Sequence, residues 1–298
     1  MKSIFITGSG GFVGQNVIKY FNSTYEFYRF SKNDEININQ DVVLHFAGKA
    51  HDLKNTSNSE EYYIVNTELT KQVVDNFLES DAKVLITLSS VKAVADKLDC
   101  DLTEEYIPNP ITHYGKSKLL AEQYIFGKEI PEGKRVYILR PCMIHGPGNK
   151  GNLNLLFKIV SKGLPWPLGV FKNKRSFCSI DNLSFIIKEL IENNQIPSGV
   201  YNIADDEQVS TNELIELISE SLGKKARIWH IPQFFIKSLS KLGDILKLPL
   251  NSESLSKLTE TYIVSNQKIK NAINKQLPVS AKEGLMKTLN SFGNNNTH

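Results

Sequence analysis

The sequence predicts an α/β protein: a doubly wound parallel sheet with helices on both faces, and a smaller C-terminal α/β lobe. Three observations predict it. Short β-branched or apolar runs alternate with stretches of helical spacing. The runs are apolar at successive positions, as in strands covered on both sides. The first run leads directly into a glycine-rich turn, "TGSGGFVG", Thr7 to Gly14.

In chain order, "SIFITG" is the first strand, and "GQNVIKYFN" is the helix that the glycine turn opens. "YEFYRF" is the second strand. From Lys32 to Asp41 only ten residues precede the next strand, "DVVLHFAG", too few for a βα unit. The crossover helix is therefore expected to be missing here, and any strand in the interval, such as "INI", to be short. The helix "EYYIVNTELTKQVVDNFLES", the strand "KVLITLSS", the helix "HYGKSKLLAEQYIFG" and the strand "RVYILRP" continue the alternation. A Gly/Pro-rich segment, "KGLPWPLGVFKNKRSF", then breaks it, before one more helix, the strand "GVYNIA" and a helical C-terminal region. These shifts assign 1–150 and about 179–205 to the sheet domain, and 151–178 and about 206–298 to a second lobe capping the sheet's C-terminal edge. "FFIKSLSKLGDILKLPL", Phe234 to Leu250, is basic and amphipathic; that pattern serves at membrane surfaces, but its commoner use, favoured here, is packing on a core.

Composition narrows the function. A net charge of +3 with dispersed Lys and Arg gives no footprint for nucleic acid. No apolar run reaches the length of a membrane span, and the N-terminus has no signal-peptide pattern, so a cytoplasmic protein is expected. Cys100, Cys142 and Cys178 lack C-x-x-C spacing, which indicates neither a disulfide framework nor a metal site. Only the terminal "NNNTH" reads as a frayed tail.

Gly8, Gly11 and Gly14 follow a strand and open a helix, the context in which such a pattern binds a dinucleotide. The first glycine permits the turn, the second lets backbone approach a pyrophosphate, and the third packs helix on strand; the N–H groups at Phe12 and Val13 face the anion. This is the Rossmann arrangement. An acid normally ends the second strand and binds the ribose 2′-OH. Ser31 and Lys32 stand there instead, which modestly favours NADP(H) over NAD(H), while Asp34, about twenty residues past the last glycine, keeps NAD open.

"HYGKSK" places Tyr114 and Lys118 on one face of a helix. An ammonium beside a phenol favours the phenolate, and the same phenol can deliver a proton to a carbonyl as hydride arrives. Ser89 and Ser90 end the strand "KVLITLSS" at the edge where such sheets bind ligands, and a hydroxyl there can hold the reacting oxygen.

Taken together and in order, "TGSGGFVG", "HFAGKAH", "LSSVKA", "YGKSK" and "RPCMIHGPG" resemble the extended short-chain dehydrogenase/reductases of the nucleotide-sugar epimerase/dehydratase type. The resemblance implies that Tyr114 is the acid/base, that Lys118 holds the nicotinamide ribose and lowers the tyrosine pKa, and that Ser90 binds the substrate oxygen. It implies that Ala47, Gly48, Asn66, Pro141 and Met143 line the cofactor, and that Asn152 and Arg175 hold a nucleotide diphosphate. An arginine can engage phosphate oxygens in pairs, though Arg175 also fits a structural salt bridge. A UDP-sugar substrate, a role in surface polysaccharide synthesis and a homodimer follow by the same resemblance.

One departure matters. Val91-Lys92 stands where dehydratases of this superfamily carry Asp-Glu, so 4,6-dehydration is disfavoured. The variant resembles a subgroup of UDP-N-acetylhexosamine 4-epimerases and 4-keto-reductases. A strand end without its acid and a shortened adenine side suggest a cofactor that exchanges. On that ground the sequence favours reduction of a UDP-4-keto-6-deoxy-N-acetylhexosamine, with 4-epimerisation on retained NAD as the alternative. A catalytically silent dinucleotide-binding regulator is the reading from another class, and the presence of Tyr114, Lys118 and Ser90 together speaks against it.

Overall fold

Six parallel strands form the main sheet, in the order β2-β1-β3-β4-β5-β8. They are β1 (Ser3–Thr7), β2 (Glu26–Arg29), β3 (Val42–His45), β4 (Val84–Leu88), β5 (Arg135–Pro141) and β8 (Gly199–Ile203). The computed structural model describes residues 1–32, 34–50, 58–149, 151–246 and 251–294, the side chains of Asn152 and Asn294 aside. The chain folds into two compact units. The first holds Met1–Cys142, Ile180–Ala204 and Val264–Pro278; the second holds Met143–Ser179, Asp205–Ile263 and the chain from Val279.

In the first unit, Ile4, Phe5 and Ile6 of β1 and Val42, Val43 and Leu44 of β3 are all buried, as a sheet covered on both faces requires. Phe5, Val43, Leu85, Val136 and Ile138 pack with Val73, Val74 and Phe77 of α3 (Leu69–Glu79) and Ile125 of α4 (His113–Phe126). The connection β1 to β2 runs the opposite way along the sheet from β3 to β4 to β5. Right-handed crossovers then put α1 (Phe12–Phe21) on the opposite face, where it packs with α6 (Ile180–Glu192).

Between β2 and β3 no helix is present among the described residues. The Phe30 N–H continues the pairing by donating to Ile6 O at 2.9 Å, and the Asp34 N–H donates to Ser31 O at 2.9 Å. The expected strand at "INI" does not form among the described residues; Ile36 and Ile38 instead turn onto the α3 face and pack in its core. β2 is thus the edge of the sheet. Residues 264–278, read from the sequence as part of the second lobe, belong to the first unit, where α10 (Gln267–Ile273) buries Ile269 and Ile273 beside β8.

The second unit has its own sheet, β6-β7-β9, from β6 (Met143–His145), β7 (Arg175–Ser179) and β9 (Gln208–Val209), with β6 and β7 parallel and β9 antiparallel. Its core joins Phe157 of α5 (Asn152–Ser161), Phe177, Ile218 of α7 (Thr211–Ser221), Leu255 of α9 (Ser252–Thr259) and Leu285 of α11 (Ala281–Asn294). A Ser210–Glu213 capping box starts α7. Helix α8 (Gln233–Leu246) departs from the packing expected of it. Only Ile236, Ser240 and Gly243 are buried, while its large apolar residues face outward. Residues 247–250 of that stretch, like the tail 295–298, lie outside the described residues.

Candidate active site

The C-terminal ends of β1, β3, β4 and β5 are neighbours in the parallel sheet, so the segments that follow them meet along one edge. The glycine turn follows β1. Gly8 has φ +70, and a Cβ on it would stand 2.5 Å from Ala47 N, so backbone conformation and close approach both exclude a side chain. A Cβ on Gly14 would come within 2.3 Å of Gly8 O, which is how α1 can start directly against the turn. Gly11 caps α1 without a side-chain hydrogen bond, and no acidic residue occupies the first turn. The N–H groups of Phe12, Val13 and Gly14 are therefore offered to an anion.

After β3, Ala47 N donates to Thr7 Oγ1 at 3.1 Å. Gly48 makes room for two side chains: a Cβ there would lie 3.0 Å from Lys118 Nζ and 3.2 Å from Asn66 Oδ1. Asn66 sits in a π-helical turn, Ile64–Glu68, between α2 (Ser59–Tyr63) and α3. Its amide accepts from Lys49 N (2.8 Å) and donates to Lys49 O (3.2 Å) and Ser117 Oγ (3.0 Å). Asn66 thus ties the loop after β3 to α4, beside the lysine.

The two serines after β4 diverge. Ser89 Oγ donates to the buried Glu122, which Arg140 of β5 also grips through Nε at 2.9 Å. Ser90 caps a short turn, accepting from Lys92 N at 3.2 Å, and lies beside the Tyr114 phenol, whose pKa it lowers. Gly115 makes that meeting possible. A Cβ on it would stand 2.3 Å from Lys92 O, so α4 lies directly on the turn that carries Ser90. Thr112 caps α4 by accepting from Gly115 N at 3.1 Å, and the Tyr62 and Tyr114 rings meet edge to face with their centres 6.2 Å apart. Burial raises the Tyr114 pKa, and the Ser90 hydroxyl pulls against it. Lys118, one turn along, donates from Nζ to Leu88 O at 2.8 Å; burial brings its pKa down to about 8, with Glu122 opposing.

Ser90, Tyr114, Lys118, Gly48 and Asn66 are thus brought together, with Pro141 buried at the end of β5 on the same edge. Ser31 and Lys32 are exposed past the end of β2, and there the Asp34 carboxylate accepts from Ser31 N at 2.8 Å. Asp34, the acid that kept NAD open in the sequence, thus lies against the backbone of Ser31. Met143, Asn152 and Arg175 belong to the second unit. Met143 opens β6, Asn152 opens α5, and Arg175 on β7 donates from Nη1 to Lys257 O, a backbone contact.

Sequence reasoning missed His45. Buried at the end of β3, it lies between Thr7 Oγ1 (2.7 Å from Nδ1) and Thr70 Oγ1 (2.9 Å from Nε2), and burial, with Lys118 adding to it, depresses its pKa to about 3. Glu122 and Arg140 were missed as well. For His45 and Arg140, a polar residue inside an otherwise apolar strand was the available signal.

The model of the NAD dependent epimerase/dehydratase family matches residues 34–204. UDP-glucose 4-epimerase of Vibrio cholerae is 30% identical over 98% of this chain and 95% of its own. N-acetyl-alpha-D-glucosaminyl-diphospho-ditrans,octacis-undecaprenol 4-epimerase of Escherichia coli O157:H7 is 31% identical over 77% of this chain and 66% of its own. Among solved structures, MoeE5 in complex with UDP-glucose and NAD superposes with a TM-score of 0.76, covering 99% of this chain and 100% of that one at 16% identity, a likeness of fold. With a family match across more than half of its length and a relative similar along nearly all of it, the chain belongs to the NAD dependent epimerase/dehydratase family.

Proposed function

We propose that this protein is a 4-epimerase of sugars carried on a diphosphate, using NAD. The observation that carries the reading is the packing of α4, which bears Tyr114 and Lys118, through Gly115 onto the turn that Ser90 caps, at the sheet edge that also bears the glycine turn. The residues suit a dinucleotide. Side chains are excluded at Gly8 and Gly14, and α1 begins with unclaimed N–H groups. Asp34 suits a ribose with free hydroxyls better than one bearing a 2′-phosphate, which supports NAD. The Vibrio cholerae and Escherichia coli relatives, both 4-epimerases, support the reaction.

When bound, the nicotinamide supplies an acceptor for hydride from C4 and a donor to return it. Tyr114 moves the matching proton: it takes one from the C4 hydroxyl and gives it back to the keto oxygen. Burial keeps the phenol protonated at rest, which suits it to the giving half. The taking half needs the phenolate; Ser90 lowers its energy, and an ammonium on Lys118, on the same helix face, is suited to do the same. Ser90 also orients the reacting oxygen.

The test is to incubate the purified protein with UDP-glucose and with UDP-N-acetylglucosamine and follow the C4 epimers by NMR. Interconversion without net change in nicotinamide absorbance is the expected result. In Tyr114→Phe the rate should fall by about 10²–10⁴, with dinucleotide binding nearly unchanged; a fully active variant would overturn the assignment. The second reading, a 4-keto-reductase, draws support from the segment after β2, which has no helix among the described residues and so leaves little to retain a cofactor. Stoichiometric NAD(P)H consumption with a UDP-4-keto-6-deoxy sugar and no epimerisation would select it.

A further inference from the structure

We propose that the outward face of α8 is a docking surface for an anionic lipid bilayer, on which the helix lies in the plane of the headgroups. Phe234, Phe235, Leu239, Leu242, Ile245 and Leu246 are all exposed, Ile245 at 76% and Phe234 at 61%. At 3.6 residues per turn they fall on one arc of about 140°, while Ile236, Ser240 and Gly243 form the seam that holds the helix to its unit. So large an outward apolar face is not needed for folding.

Charge identifies the occupant. Between Gly223 and Leu246 the sequence has five cations, Lys224, Lys225, Arg227, Lys237 and Lys241, and a single acid, Asp244. All five cations are exposed, and the Asp244 carboxylate is engaged by Ser252, accepting from its N–H at 2.9 Å and its hydroxyl at 2.6 Å. The segment that leads into α8 also exposes Trp229, a residue that favours the boundary between headgroup and acyl chain. A second copy on this face would set five cations against five. A convex helix with no polar group within its apolar arc other than Ser238 matches a lipid surface, which needs neither a groove nor a specific hydrogen bond. Among the described residues no helix is long and apolar enough to span a membrane, so the contact is peripheral. Docking stands apart from the reaction proposed above.

Co-sedimentation of the full chain with vesicles tests this. On an equal mixture of phosphatidylglycerol and phosphatidylcholine, binding should exceed that on phosphatidylcholine alone by about tenfold and weaken with salt. Emission from Trp229 should shift to shorter wavelength. Leu242→Asp with Ile245→Asp should lower binding by about tenfold, with the thermal melt unchanged. Lys237→Glu with Lys241→Glu, a pair that leaves the apolar arc intact, should abolish the preference for anionic vesicles. Absence of binding by the folded protein, or binding unaffected by both pairs, would overturn the proposal. So would a dimer that the Leu242/Ile245 pair splits in light scattering while vesicles are ignored.

Discussion

Adjacent serines at the end of β4 have different partners, and their variants should fail differently. Ser90→Ala removes the hydroxyl that lowers the Tyr114 pKa and should lower turnover by about 10²-fold, read in the epimerisation assay, with the unfolding midpoint held. Ser89→Ala deprives buried Glu122 of a donor and should appear in urea unfolding as a loss of about 1–3 kcal/mol. Gly8→Ala forces a Cβ into the left-handed region and onto Ala47 N; loss of stability together with dinucleotide binding is expected, measured by melting and by titration. Tyr114, Lys118 and Ser90 were legible because their pattern is local, a four-residue step on a helix and a strand end. His45 was not legible. Its partners, Thr7 and Thr70, lie 38 and 25 residues away, and nothing short of the folded sheet brings them to one ring.

Between elements, the contacts that set the site are α4 on the turn after β4 and α4 on β5. Gly115 secures the first and the Glu122–Arg140 pair the second. Both charges of that pair are almost wholly buried. Arg140→Met alone should cost about 3–5 kcal/mol, because it leaves a carboxylate unpaired in the core, whereas Arg140→Met with Glu122→Leu should recover most of it; chemical denaturation of the three variants checks the cycle. The six strands of the main sheet were readable from their apolar runs, and the missing crossover helix from chain length alone. The short strand suggested at "INI" was not found, since β-branched residues fit a sheet face as readily as a strand, and Ile36 and Ile38 cover one. The outward apolar face of α8 was hidden for a related reason: periodicity reports that one side of a helix is apolar, not which way that side points.

For the whole molecule, two buried bases make stability rise with pH in separate windows. The folded state holds His45 near 3 against an ordinary 6.5, so as pH falls through that interval the unfolded chain takes a proton that the folded one refuses. Stability should drop there by roughly a few kcal/mol, and His45→Gln should flatten that limb of a urea-midpoint against pH curve. Lys118, held at about 8 against 10.5, adds a second rise between those values, which Lys118→Met should remove. The second unit was less legible than the first, because its sheet joins three short strands that are distant in sequence. Dropping the usual third strand has one more consequence. It leaves β2 with a row of backbone donors and acceptors that no neighbouring strand among the described residues uses, a template for another chain to extend. Four residues long and ended by Glu26 and Arg29, β2 offers little length and a charge at each end to any such recruit. At the opposite margin the Glu104 carboxylate accepts from Asn202 N at 2.7 Å, stopping β8 from recruiting one. The shortened sheet thus carries its own protection against polymerising edge to edge.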